Sequence, residues 1–239
     1  MENKRIIAFG DIHGCYKAAE TAVKLAKDNN ALAIFLGDYV DRGLYSIKTL
    51  EVLIEAKKRN PEWIFLRGNH DQMLLDLIFE KQKPNSIFDV ISGKTSNEET
   101  SKVFFQWKTC NDTLQQEIVT FLNDTKFYHE TEHWIFVHAP LKDSTVPLIK
   151  KTKEELIWPY ELNPIWEGKQ FIHGHATVNN PTTTNKGTNI NTLCGYGGFL
   201  TGMLLLISYP LVPSNIVREE RFVSFSISED GVLMNLSQP

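Results

Sequence analysis

The chain has 239 residues, of which 42% are hydrophobic and 23% are charged. These proportions allow a buried core and exclude general disorder. The formal net charge of −4 argues against a dedicated binder of nucleic acid or anionic membranes. The three cysteines, Cys15, Cys110 and Cys194, are too few and too scattered for a disulfide framework or a thiolate zinc site, so a cytoplasmic location is expected.

No membrane partner is expected from the apolar runs. The run near the start of the chain is too short for the core of an export signal. The most apolar stretch, residues 199–207, is interrupted by Thr201 and Gly202 and cannot span a bilayer.

Strands and helices alternate over the first 80 residues. Apolar runs predict strands at 5–9, 31–36 and 62–66, and helical spacing predicts helices at 16–28, 46–59 and about 72–80. Continuous apolar strands followed by amphipathic helices imply a sheet that is covered on both faces. Each predicted strand ends in a glycine-containing turn, where open sheets usually place their sites.

The rest of the chain is less regular. Residues 83–101 contain proline, glycine and a polar run, which predicts a loop or an insertion that could border the site. A helix is predicted at 113–122, and residues 104–108 are predicted to extend a neighbouring helix. Strands are predicted at 134–137, 171–172, 188–193, 202–208, 222–227 and 232–236. We therefore predict one α/β domain over residues 1–239, with a helical insertion at about 81–125.

Polar side chains follow each of the first three predicted strands. The turns read Gly10-Asp11-Ile12-His13-Gly14, then Gly37-Asp38-Tyr39-Val40-Asp41-Arg42-Gly43, then Arg67-Gly68-Asn69-His70-Asp71. In the first turn, Asp11 and His13 can project to the same side and hold one cation. Helix capping explains any one of these turns, but capping needs neither histidine nor arginine, so the three together favour a functional site.

Histidines recur in the same position relative to strands. Five of the seven lie in turns after strands, namely His13, His70, His138, His173 and His175. A single histidine in such a turn is more often a structural residue than a ligand, but this shared placement favours a metal site. His129 and His133 lie in a polar hairpin and are predicted to be structural.

Five motifs, taken in order, resemble those of the calcineurin-like metallophosphoesterases. They are Gly-Asp-Ile-His-Gly, Gly-Asp-Tyr-Val-Asp-Arg-Gly, Arg-Gly-Asn-His-Asp, Val-His-Ala and Gly-His-Ala. More narrowly, they are similar to the bacterial and phage branch of the phosphoprotein phosphatases. The resemblance runs from about residue 5 to residue 206, and it implies an α/β fold: a metallophosphoesterase-like β-sandwich flanked by helices.

The resemblance also implies a centre with two divalent metal ions. The first would be bound by Asp11 and His13, both would share Asp38, and the second would be bound by Asn69, His138 and His175. Nitrogen and oxygen ligands without a thiolate suit manganese, with iron or zinc as alternatives, better than Cu⁺. The implied reaction is hydrolysis of a phosphomonoester by a hydroxide that the two metals activate.

The remaining roles concern the phosphate and the leaving group. The resemblance places Arg42 and Arg67 at the phosphate, which guanidinium groups can bind through paired N–H groups. His70 is the candidate general acid, with Asp41 holding its imidazole. His173 is predicted to be structural.

One departure from the family pattern concerns a further phosphate-binding arginine. The family often carries it after a segment that here reads Leu156-Ile157-Trp158, yet Pro159 and Tyr160 follow. Tyr160 or a lysine could assist instead.

The predicted substrate is a phosphoprotein or a small phosphomonoester, and the predicted function is that of a serine/threonine protein phosphatase, with dual specificity left open. One alternative is a symmetrical dinucleoside tetraphosphatase, although that relative usually has alanine at the position of Asp41. An alternative of another class is a metal-loaded phosphopeptide-binding module without turnover. Pure binding needs no proton donor, so Asp41 and His70 argue against it. The oligomeric state is left open.

Overall fold

The computed structural model describes residues 4–82, 98–160, 166–184, 186–207 and 221–234. Its strands are β1 Lys4–Phe9, β2 Leu32–Phe35, β3 Ile64–Phe65, β4 Tyr128–Glu130, β5 Trp134–Val137, β6 Gln170–His173, β7 Thr182–Thr184, β8 Gly187–Asn189, β9 Phe199–Ile207, β10 Arg221–Ser228 and β11 Leu233–Met234. Its helices are α1 Tyr16–Asp28, α2 Ser46–Arg59, α3 Asn69–Gln82, α4 Glu98–Thr109, α5 Asp112–Asn123 and α6 Lys153–Ile157, with a 3₁₀ turn at Leu148–Lys150.

The described strands form two sheets. The first has the order β11-β10-β9-β1-β2-β3, in which β1, β2 and β3 are parallel and β9 and β10 are antiparallel to their neighbours. The second has the order β4-β5-β6-β8-β7, with β5, β6 and β8 parallel. Parallel strands need crossover connections, and the helices between β1, β2 and β3 provide them.

Alternate residues of β1 face two different apolar layers. Ile6 belongs to a buried cluster that also includes Phe136 of the second sheet, so this cluster lies between the sheets. Ile7 belongs to a second cluster with helical residues such as Leu50, so the other face of the first sheet is covered by helices. Burial on both faces explains why β1 is a continuous apolar run. The predicted fold, a β-sandwich flanked by helices, is confirmed.

Parallel strands direct the predicted motifs to the same side of the molecule. The strands β1, β2 and β3 run in one direction within the first sheet, and β5 and β6 do so within the second. Their carboxyl ends therefore lie at one edge of each sheet, and each predicted motif begins at or just after such an end.

Most predicted elements are confirmed, and α1, α2 and β5 have the predicted bounds. The strand prediction at 188–193 was wrong beyond residue 189, where β8 ends. There Asn189 Oδ1 accepts a hydrogen bond from the backbone N–H of Asn191, and Leu193 has a positive φ of 69°. Strand β7 and helix α6 were not predicted, and β4 was predicted only as part of a hairpin without bounds, because three to five residues carry too little periodicity.

Some predictions lie outside the described residues. These are positions 83–97 of the predicted loop, position 208, and positions 235–236. Residues 98–101, predicted as loop, instead begin α4. The single domain with an insertion at about 81–125 stays a prediction. None of the helices in the described ranges has the length and apolarity that a membrane crossing requires.

Candidate metal centre

The turns after the parallel strands converge on one cleft of about 290 Å³. Six predicted site residues line it, namely His13, Asp38, Arg42, Asn69, His70 and His175. Three more, Asp11, Asp41 and His138, are buried and lie against these lining residues. The structure thus brings together every predicted site residue except Arg67.

Backbone strain is concentrated in these turns. Five predicted site residues have positive φ values between 45° and 68°, namely His13, Asp38, Asp41, Arg42 and His175. Such conformations cost about 1–3 kcal/mol each and persist only where neighbouring contacts hold them. One such contact joins the first two turns, because the backbone N–H groups of Ile12 and His13 both donate to the carbonyl oxygen of Asp38 at 3.1 and 2.9 Å.

Asp71 joins the second and third turns, a role that the sequence analysis did not assign. Its Oδ2 accepts hydrogen bonds from the backbone N–H groups of Asp38 and Gly68 at 2.8 and 3.0 Å, and its Oδ1 accepts one from Tyr39 at 2.9 Å. Burial, and then the charge of Asp38, raise the pKa of Asp71 to about 7. Asp71 belongs to the third polar turn that the sequence analysis singled out, but residue type alone does not distinguish a metal ligand from a side chain that holds the backbone by hydrogen bonds.

Asp38 lies at the centre of the cluster. Its Oδ2 is 3.7 Å from Nε2 of His13 and 3.5 Å from Nε2 of His138, and its Oδ1 accepts from the backbone N–H of His70 at 3.0 Å. It belongs to two groups of three residues whose donor atoms lie within 4.8 Å of one another: one with His13 and His70, the other with His138 and His175. A carboxylate shared in this way suits two neighbouring cations.

The buried histidines present neutral nitrogens to Asp38. Nδ1 of His13 lies 2.8 Å from the carbonyl oxygen of Val40, and Nδ1 of His138 lies 3.0 Å from that of Leu36. A carbonyl only accepts, so each Nδ1 carries the proton, and Nε2 offers its lone pair. Burial lowers the pKa of His13 and lowers that of His138 to about 3. The neutral ring, which is the form that binds metal, is therefore favoured.

Asn69 completes the second donor group. Its Oδ1 is 3.0 Å from Nε2 of His138 and 2.9 Å from Nδ1 of His175. Because Nε2 of His138 is unprotonated, the close approach of this nitrogen and the amide oxygen brings two lone pairs together. A cation between them would turn that repulsion into attraction, so these residues fit a metal ion.

Asp11 is held from two sides. Its Oδ2 accepts hydrogen bonds from Nδ2 of Asn191 at 2.6 Å and from the backbone N–H of His175 at 3.1 Å, and it lies 3.9 Å from Nε2 of His13. Burial, and then the charge of Asp38, raise the pKa of Asp11 well above its ordinary value. A cation beside both carboxylates would oppose that shift. The sequence analysis missed Asn191 as a contact, because no strand or helix sets its direction.

Two glycines make room for these carboxylates. A Cβ added to Gly174 would lie 1.9 Å from Oδ1 of Asp11, and one added to Gly68 would lie 2.0 Å from Oδ1 of Asp38. The donor set consists of carboxylate and amide oxygens and neutral imidazoles, without a thiolate. It fits two divalent ions of the manganese, iron or zinc type.

His70 and Asp41 form a hydrogen-bonded pair at the cleft. Nδ1 of His70 lies 2.6 Å from Oδ2 of Asp41, and the His70 ring lies edge-on to that of His13. Burial lowers the pKa of His70, but the charge of Asp38 and the hydrogen bond to Asp41 outweigh it, so the pKa is raised above its ordinary value. The protonated ring, which can donate a proton, is therefore favoured.

The two predicted phosphate-binding arginines differ in placement. Arg42 lines the cleft, and its guanidinium lies 4.9 Å from the ring centroid of Tyr196. Arg67 is only 4% exposed and is not among the residues that line the cleft. All three of its guanidinium nitrogens donate hydrogen bonds within the protein, to the side chains of Thr125 and Gln72 and to the backbone oxygen of Leu122. These bonds hold Arg67 against α3 and the end of α5.

His173 has the placement expected of a structural residue. It is buried, it is not among the cleft-lining residues, and its Nδ1 donates to the carbonyl oxygen of Gly174 at 3.0 Å. Its ring packs against that of Phe171, with 5.4 Å between centroids. His129 lies in β4, which pairs with β5 in the predicted hairpin.

A family profile covers most of the chain. The profile described as calcineurin-like phosphoesterase matches residues 4–211. The chain belongs to the calcineurin-like phosphoesterase family. As a member, it is an enzyme that hydrolyses phosphoric esters, which confirms the resemblance that the five motifs carry.

Individual relatives agree with this assignment. A protein of Salmonella typhimurium named serine/threonine-protein phosphatase 2 is 27% identical over 222 residues, which are 84% of this chain and 91% of that protein. Serine/threonine-protein phosphatase PP2A-like PPG1 of Candida albicans is 44% identical over 68 residues, which are only 28% of this chain and 16% of that protein.

Solved structures of phosphoesterases share the fold. A candidate diadenosine tetraphosphatase superposes with a TM-score of 0.64 at 16% identity and covers 93% of both chains. A cold-active protein-tyrosine phosphatase from a psychrophilic Shewanella species superposes with a TM-score of 0.60 at 14% identity, covering 99% of this chain and 81% of that one. At these identities the likeness is one of fold.

Gly174→Ala is expected to weaken metal binding, because the new Cβ would overlap Oδ1 of Asp11. Bound manganese, measured by elemental analysis after desalting, should fall below the wild-type value in a folded variant. Gly197→Ala is the matched control, since a Cβ there meets nothing within 4 Å although its φ is +84°. It should lose about 1–2 kcal/mol of stability yet keep its metal. Wild-type metal content in Gly174→Ala would contradict the assignment of Asp11.

Asp38→Asn is expected to remove bound metal and phosphatase activity together, because one neutral amide replaces the charge shared by both donor groups. Metal content and phosphate release are measured on the same preparation, with circular dichroism to show that the variant folds. Asp230→Asn is the control, since that carboxylate is 85% exposed. A folded Asp38→Asn variant with unchanged metal content would rule out the bridging role.

Proposed function

We propose that this phosphoesterase is a serine/threonine protein phosphatase that hydrolyses phosphomonoesters with two divalent metal ions, with activity on phosphotyrosine left open. The observation that carries the proposal is the meeting of two features in one cleft. Asp38 lies between donor atoms of His13 on one side and of His138 and His175 on the other. His70 lies within 4.8 Å of the donor atoms of Asp38 and His13 and is hydrogen-bonded to Asp41. Hydrolysis of an alkyl phosphate needs both an activated nucleophile and a proton for the leaving oxygen.

The proposed metals are manganese ions, with iron or zinc as alternatives. The residues that would hold them are Asp11, His13, Asp38, Asn69, His138 and His175. When bound, such ions supply a water molecule of lowered pKa and positive charge for the phosphoryl oxygens. The chain's own contribution is orientation. Val40 and Leu36 fix the rings of His13 and His138 through their carbonyl oxygens, and Asp71 fixes the backbone that carries Asp38.

Arg42 is the proposed phosphate-binding residue. It lines the cleft, and among the described residues its Nε has no hydrogen-bond partner. A guanidinium offers a planar fork of N–H groups that matches two phosphate oxygens. Arg67 is not included, because it is buried and is not among the residues that line the cleft. The hydroxyl of Tyr160, a residue that is 63% exposed and lines the cleft, is the proposed assistant.

His70 is the proposed donor of the proton that the leaving alkoxide requires. Because Nδ1 of His70 is bonded to Asp41, Nε2 is the nitrogen that remains for the substrate. The hydrogen bond to the Asp41 carboxylate favours the protonated ring. Asp41 holds the ring and stabilises its positive charge.

A phosphoprotein is the proposed substrate. The extensive match to the Salmonella phosphatase supports it, since the two proteins align over 91% of that protein. The presence of Asp41 supports it too, because the dinucleoside tetraphosphatases that this chain resembles usually have alanine there. The free thiols of Cys15, Cys110 and Cys194 support a cytoplasmic location, and the net charge of −4 supports partners other than nucleic acid.

A second candidate, a dinucleoside tetraphosphatase, is favoured by the aromatic rim of the cleft. Trp158, Tyr160 and Tyr196 all line it, and they are 45%, 63% and 50% exposed. Exposed aromatic rings can stack on nucleobases. They can also contact a peptide or a phosphotyrosine ring, so the rim alone does not decide the substrate.

A substrate panel tests the proposal. The protein is stripped of metal, reloaded with Mn²⁺, and assayed for phosphate release from p-nitrophenyl phosphate, phosphoserine and phosphotyrosine peptides, and diadenosine tetraphosphate. We expect manganese-dependent release from the phosphoserine peptide. Faster cleavage of the dinucleotide would favour the second candidate. Tight binding of the phosphopeptide with no release from any substrate would contradict the proposal.

His70→Asn is expected to keep its metal but to slow hydrolysis of the phosphoserine peptide roughly 10²–10⁴-fold. The effect on p-nitrophenyl phosphate should be much smaller, because its leaving group needs little protonation. Initial rates on both substrates make the comparison. His133→Asn, outside the residues that line the cleft, should behave as the wild type. Equal slowing on both substrates would contradict the general-acid role.

A further inference from the structure

The first turn of α4 contacts the loop after β2 at two consecutive residues. Glu99 forms an ion pair with Arg42, and the hydroxyl of Thr100 donates to Oδ2 of Asp41. Asp41 and Arg42 have positive φ values of 68° and 66°, so this stretch depends on contacts from outside itself. Residues 83–101 are predicted from the sequence as a region that could border the site. Within this range, Glu99 and Thr100 contact Arg42 and Asp41.

The surroundings of Asp41 give Thr100 particular weight. Asp41 is only 1% exposed. Its Oδ2 is bonded to both His70 and Thr100, and its Oδ1 has no hydrogen-bond partner in the part of the chain that the structure describes. Within that part, His70 and Thr100 are therefore the two side chains that hold this carboxylate.

We propose that Thr100 is a positioning residue for proton donation. Its hydroxyl fixes the carboxylate of Asp41, and Asp41 in turn fixes the imidazole of His70 toward the leaving group. Thr100 is buried and is not among the residues that line the cleft, so it acts through Asp41 and not on the substrate. This inference rests on the function proposed above, because it concerns the protonation step.

The size of the effect follows from geometry. Two donors on one carboxylate oxygen restrict its rotation, and a charge-assisted O–H···O⁻ bond is stronger than a neutral one. Removing the hydroxyl frees the carboxylate to turn, and the imidazole moves with it. A displacement of about 1 Å at a catalytic group can slow a reaction roughly 100-fold.

The test compares Thr100→Val, which keeps the shape and removes the donor, with Thr100→Ser, which restores the donor. Thr100→Val should lower kcat on the phosphoserine peptide roughly 10–100-fold and affect p-nitrophenyl phosphate much less. Thr100→Ser should recover most of the lost rate. Equal slowing of both substrates, or a serine variant as slow as the valine one, would overturn the positioning role. Bound metal and thermal unfolding, measured on each variant, show whether it has folded.

A double variant separates positioning from a general loss of structure. If Thr100 acts through His70, Thr100→Val should cause no further slowing in a His70→Asn background. The same slowing in both backgrounds would overturn the inference. A wild-type protein that cleaves small alkyl phosphates and p-nitrophenyl phosphate but not the phosphoserine peptide would contradict the proposed function alone. The effect of Thr100→Val is then compared between a small alkyl phosphate and p-nitrophenyl phosphate. No activity on either class would overturn both proposals.

A second inference rests on the neighbouring ion pair. Glu99 places a carboxylate on the guanidinium of Arg42, whose side chain is 25% exposed at the cleft. A carboxylate and a phosphate accept the same N–H groups. We infer that Glu99 competes with phosphate for Arg42 and so weakens the binding of substrate and of released phosphate.

Glu99→Gln tests the competition through inhibition by inorganic phosphate. Loss of a partly exposed ion pair should lower the inhibition constant of phosphate roughly 2–5-fold. Glu98→Gln is the matched control, because Glu98 pairs with Lys102 and its side chain is 85% exposed; it should leave that constant as in the wild type. An unchanged or raised inhibition constant in Glu99→Gln would mean that Glu99 holds Arg42 in place instead of competing for it.

Discussion

Four carboxylates are buried at this cleft, and the remainder of the site depends on how their charges are compensated. Asp41 is hydrogen-bonded to His70 and Thr100, and the other three lie close to one another. Asp11, Asp38 and Asp71 are each at most 2% exposed. Burial and the charge of Asp38 raise the pKa values of the other two. Buried charges persist where donors or cations balance them. Asp71 receives three backbone N–H groups, whereas Asp11 and Asp38 also face neutral histidine nitrogens. This division separates a structural carboxylate from two that suit metal ions.

The turns that carry these residues hold one another in place. The carbonyl oxygen of Asp38 accepts from the first turn, the carboxylate of Asp71 holds the second, and Gly68 and Gly174 allow the close approach of the ligands. Strained backbone conformations are therefore held by neighbours from other turns, which fixes the positions of the proposed ligands. Around the opening lie the partly exposed Arg42, which pairs with Glu99, and the aromatic rim.

Local sequence patterns predicted the elements that bear the site but not all of its contacts. Helical spacing predicted α1 and α2 with their observed bounds, because each helix buries one apolar face against the first sheet. An apolar run predicted β1, because both of its faces are buried. The motifs marked the side chains that the structure brings together around Asp38, because turns after parallel strands meet at one edge of a sheet. The direction of Arg67 escaped prediction, because it depends on Thr125 and Leu122, more than 50 residues away in the chain. The contact of Thr100 depends likewise on the packing of α4, which no motif marks.

The central claim is that two ions share Asp38. An anomalous difference map from crystals loaded with manganese measures this most directly. We expect two peaks, both next to Asp38, one beside Asp11 and His13 and the other beside Asn69, His138 and His175. A single peak, or peaks that do not adjoin Asp38 in protein saturated with manganese, would contradict the shared centre.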